Sequence, residues 1–584
     1  MSATSLQAGS TAKGMARPWS ASYPPTVDDM TPIVAKPVYA LLDESAALYP
    51  SHDCIDFLDK HYSYAEIKRE SDKVAKGLQQ LGLKPGMRLG LFLPNCPYFV
   101  IFYYGALKAG AALVNFNPLY AEPEIERQIA DAEIDFMVTL DVTQLLPKLD
   151  AVLARTHVKS VIVCPMAQQL PFPKNLVYPL VMRSAHASMK IDKRHIAYKD
   201  LVHNDGAYQQ IEIDPVKAVA LLQYTGGTTG VPKGAMLSHA NVYTNAIQAK
   251  RWFYTVDTPS SKTIGVLPLF HAFAMTCVMN FTLSVGGSMI LEPKFDTLKL
   301  LRLIQAKRPT ALVGVPTLFN ALLNYPKFGE FDLSSLIFAI SGGAPLPDEI
   351  RKTFEEKSGC KLIEGYGLSE ASPVCSCNPV HTGGKAGSIG LPLPFTNCEI
   401  VSLDDGVTRL MPGEKGEICF RGPQVMLGYW KRPDSTAEVI KNGCLHTGDV
   451  GHIDEEGFVF ITDRLKEMIN ASGFKVYPRV IEEAIYHHPA VKECAVIGID
   501  DPYRGQNIKA FIVLKEGEIC SQETLEAFLE SRLSKIEKPR FYEFRTDLPK
   551  SIIGKILKKN LVDEEKARAA LGNSKENPKG NKQS

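Results

Sequence analysis

The chain has 584 residues, too many for one compact core at about 150 residues per domain, so two to four lobes are expected. Its 65 lysines and arginines balance 64 acids and 45% of its residues are apolar, which describes a globular protein without the charge excess that nucleic-acid binding demands. Twelve cysteines are scattered, and the closest pair, Cys375 and Cys377, is C-x-C and not a zinc-type C-x-x-C, so reduced thiols in a cytoplasmic protein are expected. The N-terminal "MSATSLQAGSTAKGMARPWSASYPP" lacks the apolar core of a secretory signal and is read as part of a disordered leader, 1–30.

"YFVIFYYGALKAGAALVNF", from Tyr98 to Phe116, approaches the roughly 20 residues of a membrane span. Lys108, two glycines and the following Asn-Pro point instead to a buried helix running into a strand. Apolar runs of strand length recur between helix-like stretches: "RLGLFLP", "FMVTL", "SVIVC", "AVALLQYTGG", "TALVGVP", "LIFAISGG" and "KLIEGYG". Strands buried on both faces read this way, and their alternation with helices predicts a parallel α/β architecture. From about residue 385, "GEICFRG" and "GFVFITDR", separated by Gly/Asp turns, predict short antiparallel strands. After "TDRLKEMINASG" a small α+β unit follows: a helix near "RVIEEAIYHH", strands "ECAVIGI" and "KAFIVL", and a helix near "ETLEAFLESRL". From Gly572 onward no large apolar side chain remains. The expected organisation is a leader (1–30), a large N-terminal α/β body (31–463) with two parallel-rich sheets plus a small β subdomain, a small mobile α+β lobe (464–565) and a disordered tail (566–584).

"YTGGTTGVPKGAMLSH" (224–239) joins the strand "AVALLQYT" to a helix that Ser238 caps, with Val242, Ala246, Ala249 and Phe253 on one face. The glycines Gly226, Gly227 and Gly230 let main-chain N–H groups converge, and Thr225, Thr228 and Thr229 add hydroxyls. Lys233 adds a mobile cation, so the loop suits a polyanion. It is not a Walker loop, because the lysine stands between Pro232 and Gly234. "YTGGTTGVPKG" resembles the phosphate loop of the adenylate-forming enzymes: acyl-CoA synthetases, peptide-synthetase adenylation domains and firefly-type luciferases.

Further motifs similar to that superfamily follow in order. "SGGAPLP" (341–347) resembles the adenine-side turn, with Gly342, Gly343 and Ala344. "EGYGLSE" (364–370) supplies Gly365, Tyr366 and Gly367; the resemblance gives Tyr366 the adenine face, Ser369 a phosphate hydrogen bond, and Glu370 with Thr225 the Mg²⁺ region. "LHTGDVG" (445–451) resembles the ribose motif, with Asp449 accepting from both hydroxyls. "TDRLKEMINASGFKVYP" (462–478) resembles the hinge: Arg464 on the nucleotide side, Lys466 as pivot, Gly473 at the pantetheine channel. "PKSIIGKILKK" brings Lys555, the lysine that reaches into the site. His271 in "LPLFHAFAM" matches a position near the acyl carboxylate, and Gly314 in "ALVGVPTLF" a pocket-floor position. Ser369 stands where threonine is more usual, Cys444 where tryptophan is, and Val480 where glutamate is.

The likeness runs from "RPWSASYPP" to Lys559 and is nearest to bacterial long-chain fatty-acid–CoA ligases. It implies ATP and Mg²⁺ as cofactors, coenzyme A and a fatty acid as substrates, and a lobe that rotates about Lys466 between two half-reactions. An acyl-AMP ligase loading a carrier protein, a CoA ligase for another hydrophobic acid, a luciferase-like oxidase and a nucleotide-binding scaffold share some of the motifs. Chain length, homodimer assembly and peripheral contact with a membrane stay open.

Overall fold

The computed structural model describes residues 17–575, apart from 226–231, 257, 382–383, 472–473, 502–504 and 552–553. Two large sheets make the body. In the first, the strands Asp53–Phe57, Ser288–Leu291, Lys262–Gly265, Ala311–Gly314, Phe338–Ser341 and Lys361–Gly367 run parallel. The same sheet continues through antiparallel strands, from Val374–Cys377 to Asn397–Val401. The predicted β subdomain is therefore hydrogen-bonded to a parallel sheet, with Lys361–Gly367 serving both halves. The second sheet of the described residues has eight strands, parallel at its centre; towards one edge it carries the hairpin Val219–Thr225 and Lys233–Ser238, with the short strand Gly428–Tyr429 outermost.

Local signals account for the elements that carry the site. Ser238 caps the helix His239–Trp252 by accepting from Asn241 N–H, and Asn241 returns a bond to Ser238 N–H. The apolar stretch forms the helix Pro97–Lys108, buried along its whole length, and then the strand Ala112–Asn115. Lys108 is tolerated inside because its ammonium lies 2.5 Å from Asp43 and 2.6 Å from Asp72. Among the described residues no helix is long and apolar enough to cross a membrane.

After Arg464 a five-stranded sheet carries the helices Pro478–Tyr486, Gln522–Leu529 and Lys558–Lys575. This lobe has cores of its own, Ile481, Ile485, Val496, Ile512 and Leu525 on one face and Phe511, Val513 and Leu561 on the other.

Two expectations about the chain ends need correction. Residues 17–30 are not loose: Trp19 and Val27 are buried, and the Tyr23 ring meets Trp252 edge-on at 5.4 Å. The expected disordered tail from 566 is helical to Lys575. Leu561 anchors that helix in the lobe core, and past it charge pairs hold it, with Arg545 2.7 Å from Glu564, Lys509 2.9 Å from Glu565 and Arg568 2.8 Å from Glu543.

Candidate active site

The strands Phe338–Ser341 and Lys361–Gly367 are parallel neighbours, and their carboxyl ends carry Gly342, Gly343 and Ala344 on one side and Gly365, Tyr366 and Gly367 on the other. Open α/β sheets place ligands outside such ends. Gly343 adopts φ +76°, which favours glycine, and a Cβ on Gly367 would overlap the Pro373 carbonyl. Between body and lobe lies a cavity of about 190 Å³, lined by Gly343, Ala344, Gly365, Tyr366, Gly367, Asp449, Arg464 and Lys555. Residues more than 200 positions apart thus share one wall.

Asp449 is one of the buried acids of this cavity. It pairs across two antiparallel strands with Arg464, whose Nε lies 3.2 Å from one carboxylate oxygen, and the Tyr366 hydroxyl donates to the other. Glu417 sets the turn before it by accepting from Gly448 N–H at 2.9 Å and holding His446 at 2.8 Å. Burial, and then the Asp449 charge, push the Tyr366 phenol well above its usual range, so it remains a donor.

Lys555 enters from the lobe on a loop in which Ser551 accepts its N–H at 3.1 Å. Burial, and then the Arg464 charge, pull its ammonium down to about 8. Lys466 is exposed in the turn between the strands Val459–Arg464 and Ile469–Ala471, outside the cavity wall. The lobe closes on the body through polar contacts: Asn320 donates to the Lys492 carbonyl at 3.0 Å, and Arg479 lies 4.0 Å from Glu364. Burial raises the Glu364 carboxyl to about 7 and that of Asp463, which accepts from Arg479 N–H, to about 6.

On the hairpin side Thr225 and Lys233 face each other across the two strands. The Lys233 ammonium lies 5.3 Å from the Tyr429 ring centre, and the Tyr429 hydroxyl donates to Glu370 at 2.7 Å. Met426 N–H donates to the Glu370 carbonyl, fixing that backbone. Glu370 follows directly on Ser369 and the strand Lys361–Gly367, and neither it nor Lys233 is part of the cavity wall. The loop residues Gly226, Gly227, Thr228, Thr229 and Gly230 lie outside the described residues, as does Gly473.

A smaller pocket, about 50 Å³, is lined by His271, Phe273, Gly342 and Ser369 and shares Gly343, Gly365, Tyr366 and Gly367 with the first. A Cβ at Gly342 would come within 2.9 Å of the Phe273 ring. His271 Nδ1 accepts from Phe273 N–H, which leaves the ring proton on Nε2. Burial, and then the Lys555 charge, pull His271 down to about 4, so it is neutral at pH 7. Gly314 is not in this wall. It packs under the helix Pro316–Leu323, where a Cβ would come within 2.8 Å of Phe319.

Tyr429, Phe273, Glu364 and Arg479 stand at the site without having been singled out in the sequence. For Tyr429 the signal was the aromatic pair in "LGYWKRP", which forms the short strand Gly428–Tyr429 beside the lysine strand.

Comparison with known proteins identifies the family. The AMP-binding enzyme family model matches residues 42–430, and the AMP-binding enzyme C-terminal domain matches 480–555. The long-chain-fatty-acid–CoA ligase of Bacillus subtilis (strain 168) is 43% identical over 560 residues, 94% of this chain and 98% of its own. That of Escherichia coli O157:H7 is 38% identical over 563 residues, 95% and 99% of the two chains. Among solved structures, ATP-bound MatB from Rhodopseudomonas palustris superposes with a TM-score of 0.81 at 29% identity, covering 91% of this chain and 99% of that one. On the extent of these matches, the chain belongs to the AMP-binding enzyme family.

Proposed function

We propose that the protein is an AMP-forming fatty-acid–CoA ligase acting on long- or medium-chain acids. A carboxylate resists attack by a thiol because its leaving group would be oxide or hydroxide. The remedy is for the carboxylate oxygen to attack the α-phosphorus of ATP, breaking the bond to pyrophosphate. The thiol of coenzyme A, with a free pKa of about 8.5, then attacks the acyl carbon and expels AMP. The observation that carries this reading is the meeting of Asp449, Arg464, Tyr366 and Lys555 at one cavity between body and lobe.

Gly342, Gly343, Ala344 and Tyr366 would take the adenine, Asp449 the ribose, and Lys233 with the 225–230 loop the outer phosphates. Lys555 and Arg464 would face the charge that builds on the α-phosphate and the departing pyrophosphate. Neutral His271, its proton on Nε2, can donate to the acyl carboxylate without a second cation beside Lys555. Glu370, half-buried with one oxygen held by Tyr429, is a hard oxygen donor that fits Mg²⁺, with Thr225 nearby on the hairpin. Bound there, Mg²⁺ would supply charge neutralisation to the triphosphate. Lys466 would be the pivot and the 473 loop the pantetheine contact after rotation. The enzyme would work in the cytoplasm.

The test is AMP release from ATP, with and without coenzyme A, across saturated acids of increasing length. Release that depends on coenzyme A and is fastest on long or medium chains is expected. Pyrophosphate release without AMP release, unchanged by coenzyme A, would favour the carrier-loading alternative, and a maximum at acetate would overturn the fatty-acid assignment.

A pH dependence follows from Lys555. Its folded pKa, about 8, lies below the usual lysine value, so the cation is present at neutral pH and is lost as pH rises through 8. At subsaturating ATP, pyrophosphate release should therefore fall on the alkaline side with a midpoint near 8. Lys555→Arg should flatten that limb. An alkaline limb unchanged in the arginine variant would assign it to another group.

A further inference from the structure

The segment 171–194 leaves an apolar surface bare on the outside of the body. It contains the helix Lys174–Val181, and Phe172, Leu176 and Val181 are 79%, 64% and 71% exposed. Val177, Met182 and Ile191 are exposed beside them. Isolated apolar side chains on a surface are ordinary, but six within twenty residues form a patch that calls for an occupant.

Charge says what kind of occupant. The segment holds Lys174, Arg183, Lys190, Lys193 and Arg194 against Asp192 alone, in a chain whose overall net charge is +1. Asp59 lies 3.6 Å from Lys174 and Asp150 lies 3.1 Å from Lys190, so those two cations are partly neutralised. Arg194 is occupied with the Leu153 carbonyl. Among the described residues Arg183 and Lys193 have no carboxylate partner. A second copy placed on this patch by a twofold axis would bring like charges together. A surface rich in phosphate would meet them favourably.

The inner side of the same segment gives the patch a purpose. Tyr178 and Ala185 line a cleft of about 1290 Å³ whose walls also include Leu140, Met166, Phe270 and Phe295. Thr317, Asn320, Glu493 and Gly554 line this cleft too, and all four also line the Lys555 cavity. The exposed helix is thus the outer lip of a cleft that leads to the nucleotide side.

We propose that segment 171–194 docks the protein on an anionic lipid bilayer. Phe172, Leu176, Val181 and Ile191 enter the boundary between headgroups and acyl chains, while Arg183, Lys193, Lys174 and Lys190 face lipid phosphates. The cleft behind the helix then opens next to the phase in which a long-chain acid is dissolved. This significance rests on the fatty-acid assignment above; the docking itself is measured without any acyl substrate.

The experiment is co-sedimentation of the full chain with vesicles of phosphatidylcholine alone and with phosphatidylglycerol added. Binding to the anionic vesicles is expected, weakening as salt is raised. Two variants should each reduce it at least about tenfold: the triple Phe172→Ser, Leu176→Ser, Val181→Ser and the double Arg183→Glu, Lys193→Glu. Both should retain AMP release on a short, water-soluble acid, which shows that the fold is intact; if the triple variant does not, the double variant decides. Equal sedimentation of the double variant and the parent, or no binding of the parent to either vesicle, overturns the proposal. So does light scattering that shows a dimer which the patch variants split, because the patch is then a subunit interface. Failure of coenzyme A–dependent AMP release on every long-chain acid, with docking intact, would strike the substrate assignment instead.

Discussion

Lys555→Ala is expected to slow acyl-adenylate formation by about 10²–10³-fold, the range seen when one preorganised stabiliser of developing charge is removed. Thioester formation from supplied acyl-adenylate and coenzyme A should change far less. The asymmetry follows from where bonds change: the first half-reaction makes and breaks bonds at the α-phosphorus, whereas in the second the thiol attacks the acyl carbon and AMP is expelled with no bond made or broken at phosphorus. Lys555 reaches the cavity only because its loop is folded against Ser551 and because Gly554 sits beside Thr317 of the body. Removing its side chain leaves the neighbouring acid satisfied, since Glu467 remains 3.0 Å from Lys558, so the lobe should keep its structure. Rapid-quench assays of the two half-reactions separate these outcomes. Equal loss in both would show that Lys555 holds the lobe together and does not serve one step.

Much of the scaffold was legible because burial imposes simple patterns. Strands covered on both faces read as unbroken apolar runs, and Ser238 announced its helix through a capping hydroxyl and Asn241 three residues on. Several site residues were legible because close approach leaves few choices, as at Gly367, where any side chain would strike Pro373. What stayed hidden depends on pairing between distant segments. Tyr429 reaches Glu370 only because its two-residue strand pairs with Lys233–Ser238. Gly314 resembled a pocket floor, yet Phe319, five residues later, folds back over it. The tail showed no apolar reason of its own to be ordered; it continues a helix that Leu561 anchors in the lobe core and that Glu564, Glu565 and Arg568 pin by charge. Glu364 is a buried acid opposite Arg479 of the other lobe, a relation that no local pattern encodes.

Asp449→Asn should lower kcat/KM for ATP by about 10²–10⁴-fold, because two hydrogen bonds to a charged acceptor at about 1.5–3 kcal/mol each are weakened together. The magnitude alone would not identify the role, since Asp449 also holds Arg464 at 3.2 Å and takes the Tyr366 hydroxyl. Losing the carboxylate charge takes the 3.2 Å carboxylate partner from the Arg464 guanidinium in a cavity that also holds the Lys555 ammonium, which itself disfavours the closed arrangement. The two contributions separate with 2′-deoxy-ATP and 3′-deoxy-ATP. If the carboxylate accepts from both ribose hydroxyls, the parent protein discriminates against each analogue, and the variant loses that discrimination while its activity on the analogues falls much less than on ATP. If Asp449 acts only by positioning Arg464, all three nucleotides lose activity in the same proportion and the discrimination survives. The second outcome would remove Asp449 from ribose recognition and leave it as the anchor of the arginine.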